Sequence, residues 1–291
     1  MLTQILPLII AVGPAAEKSF PELPEHVQAR VEIHVDDVLR DISPYFVGTN
    51  LTQLPTDKAL ITKPEIIERV RSLGIRSVRF PNGCLADLYN WKSPPDNHIT
   101  VDEFLDFCDA IGAEPYYTLN MQGGTEGLEG PPPADAPLEE RVKYRHTAPN
   151  PCGNTNYYFG TLPEAIELLE KYTIERALAG RTPILVYELG NENWGQAKTD
   201  WTPEVYGKNA EIWCRALRER FAAAQREHPQ LAGLRLHITA VGFPTMGNNQ
   251  DPLKAVDHAV NQAWVAEIKR LADLKLIDAV TDHFYPFPGN V

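Results

Sequence analysis

The stretch Ile184-Leu-Val-Tyr-Glu-Leu-Gly-Asn-Glu192 is an apolar strand that runs straight into an Asn-Glu pair. Its aliphatic and aromatic residues suit a strand buried on both faces. Upstream, Tyr45 to Leu51, Ile75 to Phe80 and Pro115 to Asn120 have the same character, and Leu234 to Val241 and Ile277 to Tyr285 continue the series downstream. Amphipathic stretches lie between most of them. Pro64 to Leu73 places Ile66, Ile67, Val70 and Leu73 on one helical stripe, and Val101 to Ile111 does the same with Phe104, Leu105, Cys108 and Ile111. Gly74 and Gly112 then supply helix stops. A third helix is expected from Pro203 to His228, with Thr202 as N-cap, Pro203 at the first helical position and Pro229 beyond the end.

Strand and helix in alternation mean an α/β architecture with a parallel sheet. The turns after the strands carry the unusual residues, while those after the helices are short. That asymmetry fits a (β/α)8 TIM barrel, whose strand-to-helix loops build the active site. The expectation is an incomplete barrel, with about the first six strands present. Met121 to Gly160 is the longest loop, rich in Gly123, Gly124, Pro131, Pro132 and Pro133, and is expected to be a partly ordered lid. There is no internal repeat. No Gly-rich phosphate loop follows the first strand, which disfavours a Rossmann or P-loop nucleotide enzyme.

The 291 residues, 43% hydrophobic and 23% charged, have ordinary globular composition, which excludes disorder, collagen and a small disulfide scaffold. Lys+Arg 27 against Asp+Glu 39 leaves a net charge of −12, so nucleic acid and anionic membrane surfaces are not expected partners. Arg215, Arg218 and Arg220 read as one solvated helix face. No apolar run approaches the roughly 18 residues of a membrane span, and a soluble protein is expected.

Ile5 to Val12 is a short apolar run followed by Gly13, Ala15 and Ala16, in the manner of a signal peptide, although no Lys or Arg precedes it. Residues 1–30 are therefore read as a signal peptide and linker, which favours a secreted or periplasmic protein over a cytoplasmic one; a buried or frayed N-terminal segment is the alternative. Val31 to Val38 resembles an extra strand, so 31–44 is assigned to an accessory β-domain and 45–291 to the partial barrel. The cysteines Cys84, Cys108, Cys152 and Cys214 show no zinc-ligand spacing, and no metal or organic cofactor is expected. Buried free thiols are the simplest reading of all four. A Cys84–Cys152 bridge stays open, since both sit in loops.

A carboxyl at the C-terminal end of a barrel strand faces the mouth of the barrel. Glycoside cleavage needs an acid to protonate the departing oxygen, and a neighbouring amide can hold the sugar 2-hydroxyl as an oxocarbenium-like transition state forms. Glu192 and Asn191 supply those groups. Taken alone, the pair would equally cap a following helix; its place after a fourth strand turns the balance toward chemistry.

With these residues in view, the chain resembles the clan A glycoside hydrolases, most closely their α-L-arabinofuranosidase-like members. The likeness runs through Arg79-Phe-Pro-Asn-Gly83, Tyr89-Asn-Trp91, Asp102-Glu-Phe, Gly112-Ala-Glu-Pro115, Gly190-Asn-Glu192 and His283-Phe-Tyr285, in the order a barrel requires. The resemblance implies that Glu192 is the general acid/base and that Asn191 binds the 2-hydroxyl. It also implies that Tyr285 orients the nucleophile, while His283 and Arg79 brace the pocket. Each of the last three has a structural alternative: a core aromatic, a satisfied strand-end histidine and a buried ion pair. Asn120, at the third strand's end, is a further sugar-contact candidate, and Trp91, Trp194 and Trp201 are candidates to stack on sugar faces or simply to pack.

Two departures bear on the substrate. Thr52 stands where the family has a sugar-contacting glutamate, and Pro81-Asn-Gly-Cys84 where it has Pro-Gly-Gly-Asn, so a hydroxyl and a thiol replace a carboxylate and an amide. These changes keep open a β-xylosidase-like or β-glucuronidase-like specificity and a non-catalytic carbohydrate-binding barrel. Oligomeric assembly is also open. The family's nucleophile comes from a seventh strand, beyond Val291, so the chain is expected to be an inactive fragment of a longer retaining enzyme. Glu188 shares strand parity with Glu192, but an ion pair with Arg79, deeper in the barrel, is its expected role.

Overall fold

The computed structural model describes residues 47–283 apart from 134, 197–199 and 243–252, and for 253–258 the backbone alone. The signal-peptide and accessory-strand readings therefore lie outside the described residues, as does Tyr285. A division of the chain falls between Ile42 and Ser43, and all described residues are on its C-terminal side.

The elements run β1 (Gly48–Asn50), α1 (Pro55–Ile61), α2 (Pro64–Ser72), β2 (Ser77–Phe80), α3 (Val101–Ile111), β3 (Glu114–Leu119) and α4 (Leu138–Arg141). They continue with α5 (Leu162–Leu169), a π turn (Glu170–Glu175), α6 (Arg176–Leu178), β4 (Val186–Leu189), α7 (Pro203–Glu227), β5 (His237–Val241), α8 (Leu253–Asp273) and β6 (Ala279–Thr281). Each strand pairs in parallel with the one before it, giving the order β1-β2-β3-β4-β5-β6. A doubly wound sheet would reverse its order partway. Here it never reverses, so the described residues hold six strands of a (β/α)8 barrel, as the sequence indicates.

Helix boundaries follow the expected signals. Thr100 caps α3, accepting from the Glu103 amide at 3.1 Å while the Glu103 carboxylate accepts from the Thr100 amide at 2.8 Å, a reciprocal capping box. Gly112 ends α3 at φ 72°, a left-handed turn that costs glycine little. Thr202 caps α7 as expected. Strand parity divides the sheet. Phe80 stacks on Phe104 of α3 at 4.7 Å, and Tyr187 reaches Thr173 of the π turn, so this parity faces the helices. The other parity, with Arg79, Tyr116, Thr118, Glu188, Thr239 and Thr281, faces the barrel interior and is linked by polar contacts.

Tyr206 of α7 joins two strand ends: its hydroxyl donates to the Leu189 carbonyl at 3.0 Å and accepts from the Val241 amide at 2.7 Å. Trp264 of α8 stacks on it and donates to the Val241 carbonyl at 2.8 Å. The helical layer thus fixes where β4 and β5 stop. Among the basic residues of α7, exposed Arg215 pairs with Glu211 on its own helix, whereas the half-buried Arg218 and Arg220 tie the helix to Asp278 and Glu170, so the solvated-face reading fits Arg215 alone of the three.

The long loop after β3 is a packed wall. It carries α4 and a bridge between Leu128 and Tyr144, and Met121, Gln122, Val142, His146 and Asn150 within it are buried. Gly123 lies so close to Gly160 and Phe159 that an added Cβ would sit 2.6 Å from both carbonyl oxygens, which is why the loop closes only with glycine there. His146 stacks on Trp201 with ring centroids 3.5 Å apart, and the Trp201 indole donates to the Gln122 side chain at 3.4 Å. Among the described residues, no helix is long and apolar enough to cross a membrane.

Burial pushes the His146 pKa down to about 3. Below the ordinary imidazole value of about 6.5, the unfolded chain takes up a proton that the folded chain refuses, so this contribution to stability is full above that pH and lost as pH falls toward 3. Replacing His146→Gln is expected to flatten the acid limb of stability against pH by up to about 1.4 kcal/mol per pH unit, and that of Tm with it. Thermal unfolding of both proteins between pH 4 and 8 checks this; parallel acid limbs would contradict it.

Candidate active site

The interior face of the sheet is organised around Arg79. Its Nε donates to Glu188 Oε2 at 2.6 Å, and its Nη2 donates to Asn191 Oδ1 at 2.9 Å. Thr118 on the intervening strand donates to the same Glu188 oxygen at 2.8 Å. Burial opposes the Arg79 charge, but the charge of Glu188 and its hydrogen bond outweigh it and raise the guanidinium pKa. The ion pair expected between Arg79 and Glu188 is therefore present, and it reaches one step further, to Asn191.

Past β4 the backbone turns sharply. Gly190 sits at φ 85°, where an added Cβ would lie 2.1 Å from Asn193 Oδ1, and Glu192 sits at φ 50°, a left-handed conformation uncommon for a side chain of its size. The Glu192 carboxylate meets His283 Nδ1 at 2.6 Å, which ties the end of β4 to the segment after β6. Asn191 is 1% exposed and Glu192 7%. Because Arg79 holds the oxygen of the Asn191 amide, its Nδ2 is left as a buried donor without a partner among the described residues. A buried donor of this kind costs stability unless a ligand supplies an acceptor. The arrangement thus holds a carboxyl able to exchange a proton beside an amide N–H able to bind a hydroxyl.

Asp87 is an acid that the sequence reading missed. It lies in the 3-10 turn Gly83–Leu88 after β2, is 1% exposed, and accepts from Asn150 Nδ2 at 3.1 Å. Burial pushes its pKa up to about 7; hydrogen bonds from Asn150 and Gln122 work against that, the Glu192 charge adds to it and the Arg79 charge opposes it. Asp87 therefore shares the electrostatic environment of Glu192. The signal for it was an acidic residue set between Ala86 and Leu88 in a strand-end turn.

Other candidates are placed elsewhere. Asn120 donates to the Asp87 and Tyr158 carbonyls at 2.8 and 2.7 Å and accepts from the Gln122 amide at 2.9 Å, so its side chain fastens the loop. Trp91 packs edge-on against Tyr172 in the helical layer, and Trp201 is buried under His146. Trp194 is half-buried in the turn Asn193–Gln196 that follows Glu192. Thr52 donates to Asp57 from both its amide and its hydroxyl, at 2.7 and 2.6 Å. Cys84 is not a thiol: it is bridged to Cys152, which replaces the free-thiol reading for this pair, whereas Cys108 and Cys214 are buried and free. Among the described residues, no group of His, Cys, Asp and Glu side chains could hold a metal ion.

The raised Asp87 pKa has a thermodynamic sign. The folded chain holds a proton that the unfolded chain releases near pH 3.8, so stability from this group is lost as pH rises from that value through about 7. Asp87→Asn is expected to stabilise the protein at pH 8 by a few kcal/mol and to have little effect at pH 4. Urea unfolding at the two pH values measures the difference; an equal shift at both would show that Asp87 is not held protonated.

No protein-family model matches the chain. In sequence it is 27% identical over 175 residues to a probable alpha-L-arabinofuranosidase C of Aspergillus flavus, a match covering 54% of this chain and 30% of that protein. It is 29% identical over 99 residues to an intracellular exo-alpha-L-arabinofuranosidase of Bacteroides ovatus, covering 28% of this chain and 19% of that protein. The matches thus span about 30% or less of these curated relatives. In structure, a family 51 alpha-L-arabinofuranosidase from Bifidobacterium longum aligns over 85% of this chain and 44% of its own, with 16% identity and a TM-score of 0.49. The barrel assignment rests on the strand order above. Over the stretches matched in sequence, the chain is similar to alpha-L-arabinofuranosidases.

Proposed function

We propose that this chain carries the acid–base part of a retaining glycoside hydrolase of the α-L-arabinofuranosidase kind, acting on plant-type polysaccharides or oligosaccharides. The observation that supports it most is the pairing of Glu192, held by His283 at 2.6 Å, with an Asn191 amide whose Nδ2 is buried and without a partner among the described residues. In this reading Glu192 protonates the glycosidic oxygen as the bond breaks, and later takes the proton from the attacking water. Asn191 Nδ2 donates to the sugar 2-hydroxyl, a contact that strengthens as charge develops at the anomeric carbon. Arg79 keeps the amide oxygen turned away, so that only the N–H faces the sugar.

The retaining route needs a second carboxylate about 5–5.5 Å from the first. Glu188 is a poor candidate, because Arg79 and Thr118 both bind its Oε2 inside the barrel. A β-xylosidase-like or β-glucuronidase-like specificity is the second reading. It is favoured by Thr52, tied to Asp57, and by Cys84, tied to Cys152, since both side chains have partners of their own at positions where the resemblance implies sugar contacts.

Hydrolysis of aryl glycosides by the protein that carries this chain tests the reading. Release of aryl alcohol from the α-L-arabinofuranoside is expected, with Glu192→Gln lowering kcat/KM by about 10²–10⁴-fold. Faster turnover of the β-xyloside or β-glucuronide would move the assignment to the second reading. Sugar binding that persists without turnover, and is indifferent to Glu192→Gln, would mark a non-catalytic binding barrel.

A further inference from the structure

The Cys84–Cys152 bridge spans 68 residues of sequence and joins the turn after β2 to the far end of the long loop after β3. Asn150 reinforces it: its Nδ2 donates to the Cys84 carbonyl at 3.1 Å, and its Oδ1 accepts from the Cys152 and Asn154 amides at 3.1 and 3.0 Å. Between these two anchors stands Pro151. An ideal Cβ built on Gly195 would lie 2.3 Å from Pro151 Cγ, so the proline ring is seated directly on Gly195. Gly195 belongs to the turn that carries Glu192, and its amide donates to the Glu192 carbonyl at 2.8 Å. Gln196, the next residue, donates to the Ala148 carbonyl of the same loop and to the Tyr157 hydroxyl.

We propose that Pro151, clamped between Asn150 and the Cys84–Cys152 disulfide, is a positioning residue for Glu192, pressing on Gly195 to hold the turn in which Glu192 adopts its left-handed conformation and reaches His283. The proposal rests on the reading of Glu192 as the acid/base. A residue at φ 50° has no strong local preference for that state and needs its surroundings to fix it. On one side Gly190 and Asn193 define the turn, and on the other Pro151 closes it. Cys152 and Pro151 are exposed while Cys84 is buried, so the bridge can be reached by a thiol reductant from the Cys152 side. Opening it with dithiothreitol breaks the S–S bond to give two thiols, the reductant closing to its cyclic disulfide.

The test follows the His283 imidazole by ¹⁵N NMR in the full chain, with the indole signals of Trp213 and Trp264 reporting on the core. In the oxidised wild type, His283 shows the hydrogen-bonded signature of its contact with Glu192. Reduction, or Gly195→Ala in the oxidised chain, is expected to weaken that signature while the indole signals hold. Adding Pro151→Ala to Gly195→Ala removes Cγ and Cδ, leaves the proline Cβ at 3.4 Å, and is expected to restore it. Should Gly195→Ala fail to fold, Pro151→Gly in the oxidised protein removes the same contact at an exposed position and must weaken the signature. In hydrolysis of the arabinofuranoside by the protein that carries this chain, Gly195→Ala is expected to lower kcat by about 10²-fold with KM little changed. A His283 signal indifferent to reduction and to both single substitutions overturns the positioning role, whatever the turnover. If the signature is present but the protein that carries this chain turns over no glycoside, that counts against the proposed function instead, and leaves the positioning role standing.

Discussion

A guanidinium inside a parallel sheet is tolerable only with a carboxylate against it, and the Arg79–Glu188 pair meets that condition on neighbouring sides of β3. The register makes it inevitable once both residues are in strands: Arg79 lies opposite Tyr116, and Thr118 opposite Glu188, so both charges point into the same interior layer. Removing either partner would leave a buried charge alone, a loss of about 3–5 kcal/mol in comparable pairs. The pair does more than neutralise itself. The second arm of the Arg79 fork orients the Asn191 amide, so this interior ion pair decides which atom of Asn191 is left without a partner among the described residues.

The outer layers serve the same few residues from the opposite direction. Tyr206 sets the ends of β4 and β5 by bonding a carbonyl on one and an amide on the other, and Trp264 covers it. The long loop after β3 then closes over the turn that follows β4. Its contacts are polar and specific: the Thr147 and Ala148 amides bind the Asp200 carboxylate, Tyr157 binds the Ala148 carbonyl, and Asn120 binds two further carbonyls. A loop held at so many points is part of the wall beside the turn that follows β4.

Most of the architecture was legible because it follows from periodicity. Six apolar runs with amphipathic stretches between most of them point to a parallel sheet, and the capping residues Thr100, Gly112 and Thr202 mark their helices in the sequence itself. Glu192 and Asn191 were legible for a related reason, since a polar pair at the end of an apolar strand has few places to go except the mouth of the barrel. Asp87 was not legible, because it stands in a turn where an exposed acid is the ordinary case, and only the packing of Asn150 and Gln122 over it makes it buried. Asn120, Trp91 and Trp201 show the other side of this: their side chains are engaged by carbonyls and rings distant in sequence, which no local pattern announces.

The sequence by itself determined the alternation of strand and helix, the limits of α2, α3 and α7, the net negative charge and the carboxyl at the end of β4, all of which depend on composition or local pattern. Beyond the Arg79–Glu188 pair, the tertiary structure decided which side chains meet. Arg79 reaches Asn191 across 112 residues, His283 reaches Glu192 across 91, and Cys84 pairs with Cys152 across 68. Such contacts depend on strand register and on how a loop folds back, which local propensity does not encode. The sequence therefore placed a carboxyl at the end of β4, and only the folded chain supplied the histidine that holds it.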